Sequence, residues 1–319
     1  MSINKAACIA SGMIGTGWAL TFAWKGLQVN VYDIADDQIN NAKNTLEKYL
    51  GILMKYSLID GIKEADAIKA RINFTTDIDV AVEDVSFIQE SGPEDLKVKQ
   101  QIICSIEKTA TSDVVIATST SGLMVSDIAE YALHPERIVG GHPYNPTYLI
   151  PLVEIVRGRK TTSGAARIAY DFYKNLGKEP VILNKEVAGF IANRLQVALY
   201  REVIDLVIKG VCSVEDADRA VLYGPGIRWG IMGPNLIFHL GAGDLGISAL
   251  LKNQRESFSV RAADLANWSE IPEDFFKIAS EGVKKEVDNL PEYIGKTIPD
   301  LMDWRDRMII EILKLQGKI

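Results

Sequence analysis

Cysteine is scarce: the three in 319 residues, Cys8, Cys104 and Cys212, are too few and too scattered for a disulfide framework or a paired-thiol metal site. Basic charge is also short. Lys and Arg number 35 against 42 Asp and Glu, a net charge of -7, which excludes a broad cationic surface for nucleic acid or anionic lipid. No apolar run approaches the roughly 20 residues needed to span a bilayer. The opening MSINKAACIASGMIG has neither a long apolar core nor a cleavage signature. Internal repeats and low-complexity stretches are lacking too. These absences predict a cytoplasmic chain with no resident metal, whose partner is a small molecule rather than a nucleic acid or a membrane.

What is present describes an ordinary globular protein, 47% hydrophobic beside 24% charged. The length is too great for one comfortable core, so two domains are expected. Ala6 to Ala10 has strand length and is followed by glycines at 12, 15 and 17 and a helix-like segment, Trp18 to Lys25. Gln28 to Asp33 reads as a second strand, and Ala35 to Lys55 as a helix with apolar positions Ala42, Leu46, Leu50 and Leu53. Further strands are predicted at Val85 to Gln89, Val114 to Thr118, Ile138 to Gly141, Leu152 to Val156 and Pro180 to Leu183, with helices such as Leu96 to Ile106 and Ala165 to Leu176 between them. This alternation predicts an α/β, mostly parallel sheet covered on both faces. From Val187 the periodicity is helical only, over Phe190 to Lys209, Val214 to Leu222, Phe275 to Val287 and Asp303 to Leu315. The expected division is therefore residues 1–185, a Rossmann-type NAD-binding domain, and 186–319, an all-α substrate and dimerisation domain, with the boundary near Leu183 to Ala188.

A dinucleotide-binding turn needs small residues where the chain bends, where backbone approaches a pyrophosphate and where helix meets strand. Ala10, Gly12 and Gly15 occupy those places, with Met13 and Ile14 between them at the start of a helix whose free N–H groups favour an anion. Alanine stands where glycine is usual, so Ala10 is expected to avoid positive φ. Asp33, at the end of the second predicted strand, suits the adenosine ribose and repels a 2′-phosphate, favouring NAD. The alternative is that Asp33 caps the following helix.

The segment GGHPYNPTYLIPLVEIV, residues 140–156, resembles the catalytic segment of the 3-hydroxyacyl-CoA dehydrogenase family. The resemblance continues through QESGPEDLKVK (89–99), STSGL (119–123), KEVAGFIANRL (185–195) and GPGIRWGIMGP (224–234). Within the family these segments are most similar to L-carnitine dehydrogenases and to L-gulonate 3-dehydrogenases, the lambda-crystallin group. Oxidising a secondary alcohol needs a base with a pKa near neutrality, which suits His142, and a carboxylate on the other ring nitrogen, the task the resemblance assigns to Glu154. Taken alone, a histidine beside a proline at a strand end is more often structural, and a glutamate a surface charge. The resemblance further implies that Ser121 and Asn193 hold substrate oxygen, that Ser121 also reaches toward the nicotinamide, that Glu94 and Lys99 lie near the nicotinamide ribose, and that Asn145 lies near the carboxamide. Without it, Ser121 and Asn193 read as turn and helix caps, and Glu94 and Lys99 as a solvated helix start.

The helix after the second strand carries few cations to grip a coenzyme A tail, which favours a small free 3-hydroxy acid. Arg228 is suited to clamp a carboxylate bidentately, and Tyr144, Tyr148, Trp229 and Phe238 to face a trimethylammonium group. This favours carnitine, with gulonate and a 3-hydroxyacyl-CoA as alternatives. The aromatics equally suit core or dimer packing. A homodimer through the helical domain is what the resemblance implies. The alternative from another class is an NAD(H)-binding structural or sensory protein.

Overall fold

Burial dictates the sheet: its central strands are closed to solvent on both sides, as parallel strands flanked by helices must be. In the computed structural model, which describes residues 3–319, the strands are β1 (Lys5–Ile9), β2 (Gln28–Tyr32), β3 (Ile72–Thr75), β4 (Phe87–Glu90), β5 (Val115–Thr118), β6 (Ile138–Pro143), β7 (Leu152–Arg157) and β8 (Glu179–Leu183). Met1 and Ser2, the polar start of the opening segment, lie outside the described residues. The eight strands among the described residues form one sheet in the order β3-β2-β1-β4-β5-β6-β7-β8. All neighbouring pairs are parallel except β6 with β7. This is the expected Rossmann-type architecture.

The helices of this part are α1 (Met13–Trp24), α2 (Asp36–Lys55), α3 (Gly61–Lys69), α4 (Ile78–Val82), α5 (Leu96–Ile106), α6 (Val125–Ile128) and α7 (Ser163–Asn175). Alternate strand residues face opposite sides. On β4, Phe87 stacks on Phe172 of α7 at 4.0 Å and joins Trp18 and Phe22 of α1 and Tyr173 of α7 in one aromatic cluster. Its neighbour Ile88 enters the other core, with Val82 of α4, Ile103 and Ile106 of α5, and Ile128 of α6. The stripe Ala42, Leu46, Leu50 and Leu53 of α2 is buried, as its spacing requires.

The chain forms two compact units, residues 1–194 with 318–319, and residues 195–317. The helix α8 (Ala192–Ile208) begins in the first and continues in the second. Among the described residues no strand follows Leu183, as the helical periodicity predicts. A small core in the second unit joins Ile204, Val207, Ala217 and Phe275. The segment 222–264 is different: of its residues only Gly246 and Leu250 are buried.

Three local differences from expectation have physical causes. Helix α1 starts at Met13, before the apolar run that begins at Trp18, because the glycine-rich turn folds straight into its first turn. Strand β3 was not anticipated; it is a partly buried edge strand of four residues, too short for the alternation of Ile72 and Phe74 to stand out. Ala10 does take positive φ, +73°, contrary to expectation. Its conformation is imposed on both sides. The Ala10 N–H donates to the Tyr32 carbonyl at 2.9 Å, and a Cβ at Gly15 would drive into the Ala10 carbonyl oxygen. A left-handed alanine costs about 1 kcal/mol. Ala10→Gly should therefore raise stability by up to about 0.5 kcal/mol in urea unfolding, net of the roughly 0.5–1 kcal/mol of extra chain entropy of glycine. A loss of about 0.5–1 kcal/mol, the whole entropic cost of glycine, would show that the turn carries no strain.

Candidate active site

The chain runs outward from β1 to β2 and β3, then returns to lay β4 on the other side of β1. Ligands of such sheets bind at the carboxyl ends where the order reverses. A cleft of about 670 Å³ opens there, lined by Ala10, Gly12, Asp33, Ser91, Gly92 and Ile102, among others. Helix α1 has no side-chain cap, so the N–H groups of its first turn at Met13 and Ile14 point outward without intrahelical partners. Asp33 Oδ2 accepts from both the N–H and the hydroxyl of Ser11, each at 2.6 Å, and Oδ1 accepts from Ile34 N at 2.8 Å. Asp33 does not cap α2, whose N-cap is Ala35. The cradle that a Cβ at Gly15 would fill, the outward amides and the fixed carboxylate together fit a dinucleotide with a free ribose 2′-hydroxyl.

Register places the remaining chemistry on the same edge. Ile9 pairs with Glu90, Glu90 with Thr118, and Thr118 with Gly140, two residues before His142. The turn to β7 then reverses the chain so that His142 lies directly opposite Glu154. Opposed residues of an antiparallel pair share a face. A separation of 12 residues thus becomes a 2.9 Å contact between His142 Nδ1 and Glu154 Oε2. Glycines before the histidine are required: a Cβ at Gly140 would stand 2.9 Å from Val156 Cβ, and one at Gly141 would collide with the Tyr173 hydroxyl. That hydroxyl donates to Gln89 Oε1 at 2.5 Å, and Gln89 Nε2 reaches Ser119 Oγ at 2.8 Å and the Gly141 carbonyl at 3.3 Å.

Glu154 is fully buried. Its second oxygen accepts from the backbone N–H groups of Ile191 and Ala192, at 2.8 and 3.0 Å. Burial pushes the carboxyl pKa up, but the hydrogen bonds from His142 and the two amides outweigh it and hold the group below the ordinary carboxylate range. An ionised partner at Nδ1 fixes the tautomer and leaves Nε2 as the basic nitrogen of the ring. The rings of Tyr144 and Phe190 hold the imidazole from two sides, each at 5.5 Å between centroids.

Ser121 follows β5. Glu94 Oε1 accepts from the Thr120 hydroxyl at 2.7 Å, the Ser121 N–H at 2.8 Å and hydroxyl at 3.2 Å, and the Gly122 N–H at 3.1 Å. Burial raises the Glu94 pKa, and these donors with Lys99 bring it below its ordinary value. Asn193 Nδ2 donates to the Ser121 carbonyl at 3.1 Å, while its oxygen accepts from the Tyr144 hydroxyl at 2.6 Å. Burial and the Glu154 charge raise the Tyr144 pKa, which keeps that phenol a donor. Ser121, Asn193, Tyr144, His142 and Glu154 are thus brought together.

Other residues are placed differently. Lys99 is only 1% exposed and directs its donors to both oxygens of the buried Glu90, at 3.1 Å each, and to the Gly92 carbonyl at 3.2 Å. Glu90, which also accepts from Thr118 Oγ1 at 2.5 Å and Gly92 N at 2.6 Å, escaped the sequence reading; an acid ending a buried strand was its only signal. Asn145 is exposed in the loop after His142, beside the cis bond to Pro146. Arg228 and Trp229 are exposed residues of the second unit, just after a π-helical turn, Leu222–Gly226. That unit contains its own cleft of about 860 Å³ between Tyr200, Tyr223 and the acids Glu215, Asp218 and Glu286. Among the described residues no cluster of three His, Cys, Asp or Glu could hold a metal ion, and no helix is long and apolar enough to cross a membrane.

The depressed Glu154 pKa fixes a sign for its acid response. Its contribution to stability is complete above about pH 4.3, the value for an unfolded glutamate, and is lost as the pH falls through the lower folded value. Glu154→Gln should cost about 1–3 kcal/mol near neutrality, and that gap from the wild type should narrow on acidification below about pH 4. A gap in urea unfolding that stays constant to about pH 3 would rule out an ionised Glu154 in the folded state.

Residues 5–187 match the NAD-binding domain of 3-hydroxyacyl-CoA dehydrogenase, and residues 189–278 match its C-terminal domain. An L-carnitine dehydrogenase of Streptomyces coelicolor is 36% identical over 318 residues, covering 100% of this chain and 96% of the relative. A protein of Gibberella moniliformis described as 3-hydroxyacyl-CoA dehydrogenase is 34% identical, covering 99% of this chain and 96% of the relative. Among solved structures, an NAD+-dependent dismutase, the 5-dehydrogenase of 5-formyl-3-hydroxy-2-methylpyridine 4-carboxylic acid, superposes with a TM-score of 0.80 at 27% identity, covering 99% of this chain and 98% of its own. The chain belongs to the 3-hydroxyacyl-CoA dehydrogenase family, and it is an NAD-dependent oxidoreductase acting on a CH–OH group.

Proposed function

We propose that the protein oxidises the 3-hydroxyl of a small 3-hydroxy carboxylate, with L-carnitine, giving 3-dehydrocarnitine, as the first candidate. The observation that carries this reading is the buried His142–Glu154 pair on the same sheet edge as the nucleotide cleft. NAD supplies the hydride acceptor. The turn from Ala10 to Gly15 would hold its pyrophosphate and Asp33 its adenosine ribose, with Glu94, Ser121 and Asn145 toward the nicotinamide end and the buried Lys99 supporting Glu94 from 3.7 Å. His142 Nε2 takes the hydroxyl proton as hydride leaves the same carbon, and Glu154 stabilises the imidazolium that forms. Asn193 Nδ2, which keeps one N–H beyond its bond to the Ser121 carbonyl, would donate to the reacting oxygen, where negative charge gathers in the reverse direction, and Ser121 would join it by turning its hydroxyl from Glu94.

The preference for carnitine rests on the similarity to L-carnitine dehydrogenases and on Arg228, Trp229 and Tyr144 as partners for a carboxylate and a quaternary ammonium. The Gibberella relative keeps a 3-hydroxyacyl-CoA in contention, and L-gulonate is the third candidate. On this reading residues 186–319 serve substrate binding and pairing. A homodimer would cover the apolar side chains that 222–264 leaves exposed, Tyr223 at 68%, Ile231 at 71% and Leu245 at 74% among them. Light scattering should then give twice the monomer mass, and a monomer at micromolar concentration would remove this part of the proposal.

The substrate is decided by NADH formation from L-carnitine, L-gulonate and L-3-hydroxybutyryl-CoA. Turnover of carnitine is expected, and turnover of a rival alone overturns the choice. Tight NADH binding with no turnover of any of them favours the binding-protein reading. His142→Ala should lower kcat by about 10²–10⁴-fold with NADH affinity held within about twofold. Retained turnover would exclude His142 as the base.

A further inference from the structure

Lys178 sits between α7 and β8, is only 5% exposed, and forms no ion pair among the described residues. Its Nζ donates to the carbonyls of Thr147 and Ile150, the latter at 3.0 Å, and lies 5.5 Å from the centroid of the Trp18 ring. Burial, and then the charge of Lys25, push its ammonium down to about 7. A buried cation without an acid is an expensive way to fill space, and an apolar side chain would pack there more cheaply. What an apolar side chain cannot do is satisfy the two carbonyls.

Those carbonyls belong to the loop that follows His142. Residues 146–150 make a single helical turn, with the N–H groups of Leu149 and Ile150 bonded to the Pro146 carbonyl at 3.0 and 2.9 Å. One turn leaves later carbonyls without intrahelical donors, and Lys178 supplies them as a helix cap would. The same turn lies against α1: a Cβ on Gly17 would stand 2.9 Å from Thr147 Cβ, and Thr147 is 2% exposed. The Glu179 N–H completes the attachment through the Pro151 carbonyl at 2.8 Å. One ammonium group therefore joins helix α1, the His142 loop and the start of β8.

We infer that Lys178 is a positioning residue that locks the loop after His142 to the nucleotide-binding helix, so that occupancy of the cleft is transmitted to the base. The charged group facing it from α1 is Lys25, and the loop from Tyr144 to Pro151 carries phenols but no charge. On β8 the neighbouring Glu179 is held by Lys174 and Lys318. From α7 the Tyr173 phenol, its pKa raised by burial, stays neutral.

Hydrogen–deuterium exchange with and without NADH tests this without any substrate, and so independently of the role given to His142. NADH should slow exchange in residues 10–24 of the wild type, Lys178→Met and Lys178→Arg alike. In residues 143–151 it should slow exchange in the wild type and Lys178→Arg, with at least about threefold less protection in Lys178→Met. Equal NADH-induced protection of that loop in Lys178→Met and the wild type overturns the inference. Should Lys178→Met not fold, Lys178→Gln, whose shorter side chain cannot reach both carbonyls, takes its place in the same comparison. Equal NADH-induced protection of residues 143–151 in Lys178→Gln and the wild type then overturns the inference.

Discussion

A carboxylate shut away from water must be surrounded by donors, and the arrangement of the site follows from meeting that demand at Glu154. One oxygen takes the imidazole of His142 and the other takes two backbone amides at the start of α8. Two consecutive strands, β6 and β7, and the more distant opening of the helical region are thereby fixed to one another by a single side chain. The amides matter as much as the histidine, because they keep the carboxylate ionised in a place where burial alone would neutralise it.

The nucleotide cleft obeys a related rule with backbone in place of side chains. Its turn is tight enough that Gly15 has no room for a Cβ and Ala10 is forced into a left-handed conformation. Asp33 is turned toward the cleft by Ser11 rather than by the helix that follows it. Both centres sit at the carboxyl ends of strands whose register was decided by burial of their side chains, so the packing of the sheet sets the distance between them.

Much of this was legible in the sequence because it is local or periodic. The run of buried strands, the helical stripe of α2 and the spacing that lets Glu154 return beside His142 all follow from patterns of two or 3.6 residues. The similarity of GGHPYNP and its companion segments to a known family added what periodicity cannot, the assignment of roles. Features that depend on distant partners stayed hidden. Nothing near Glu90 in sequence shows that Lys99 and Thr118 will close over it, and nothing near Ile191 marks its amide as a carboxylate ligand. The same holds for the helices within 222–264, whose apolar residues form no stripe facing a core of their own. Ala10 is the instructive failure. Residue preference argued against positive φ, and close packing with Gly15 and Tyr32 overrode it.

The paired glycines ahead of His142 carry a consequence for how such a scaffold diversifies. With Val156 against one and the Tyr173 hydroxyl against the other, the strand beneath the imidazole has no slack on either face. On the role proposed for it, His142 is thereby held beside Glu154 by a strand that has no room to shift. Adaptation to a different alcohol would then fall to the walls around the imidazole rather than to the strand that carries it.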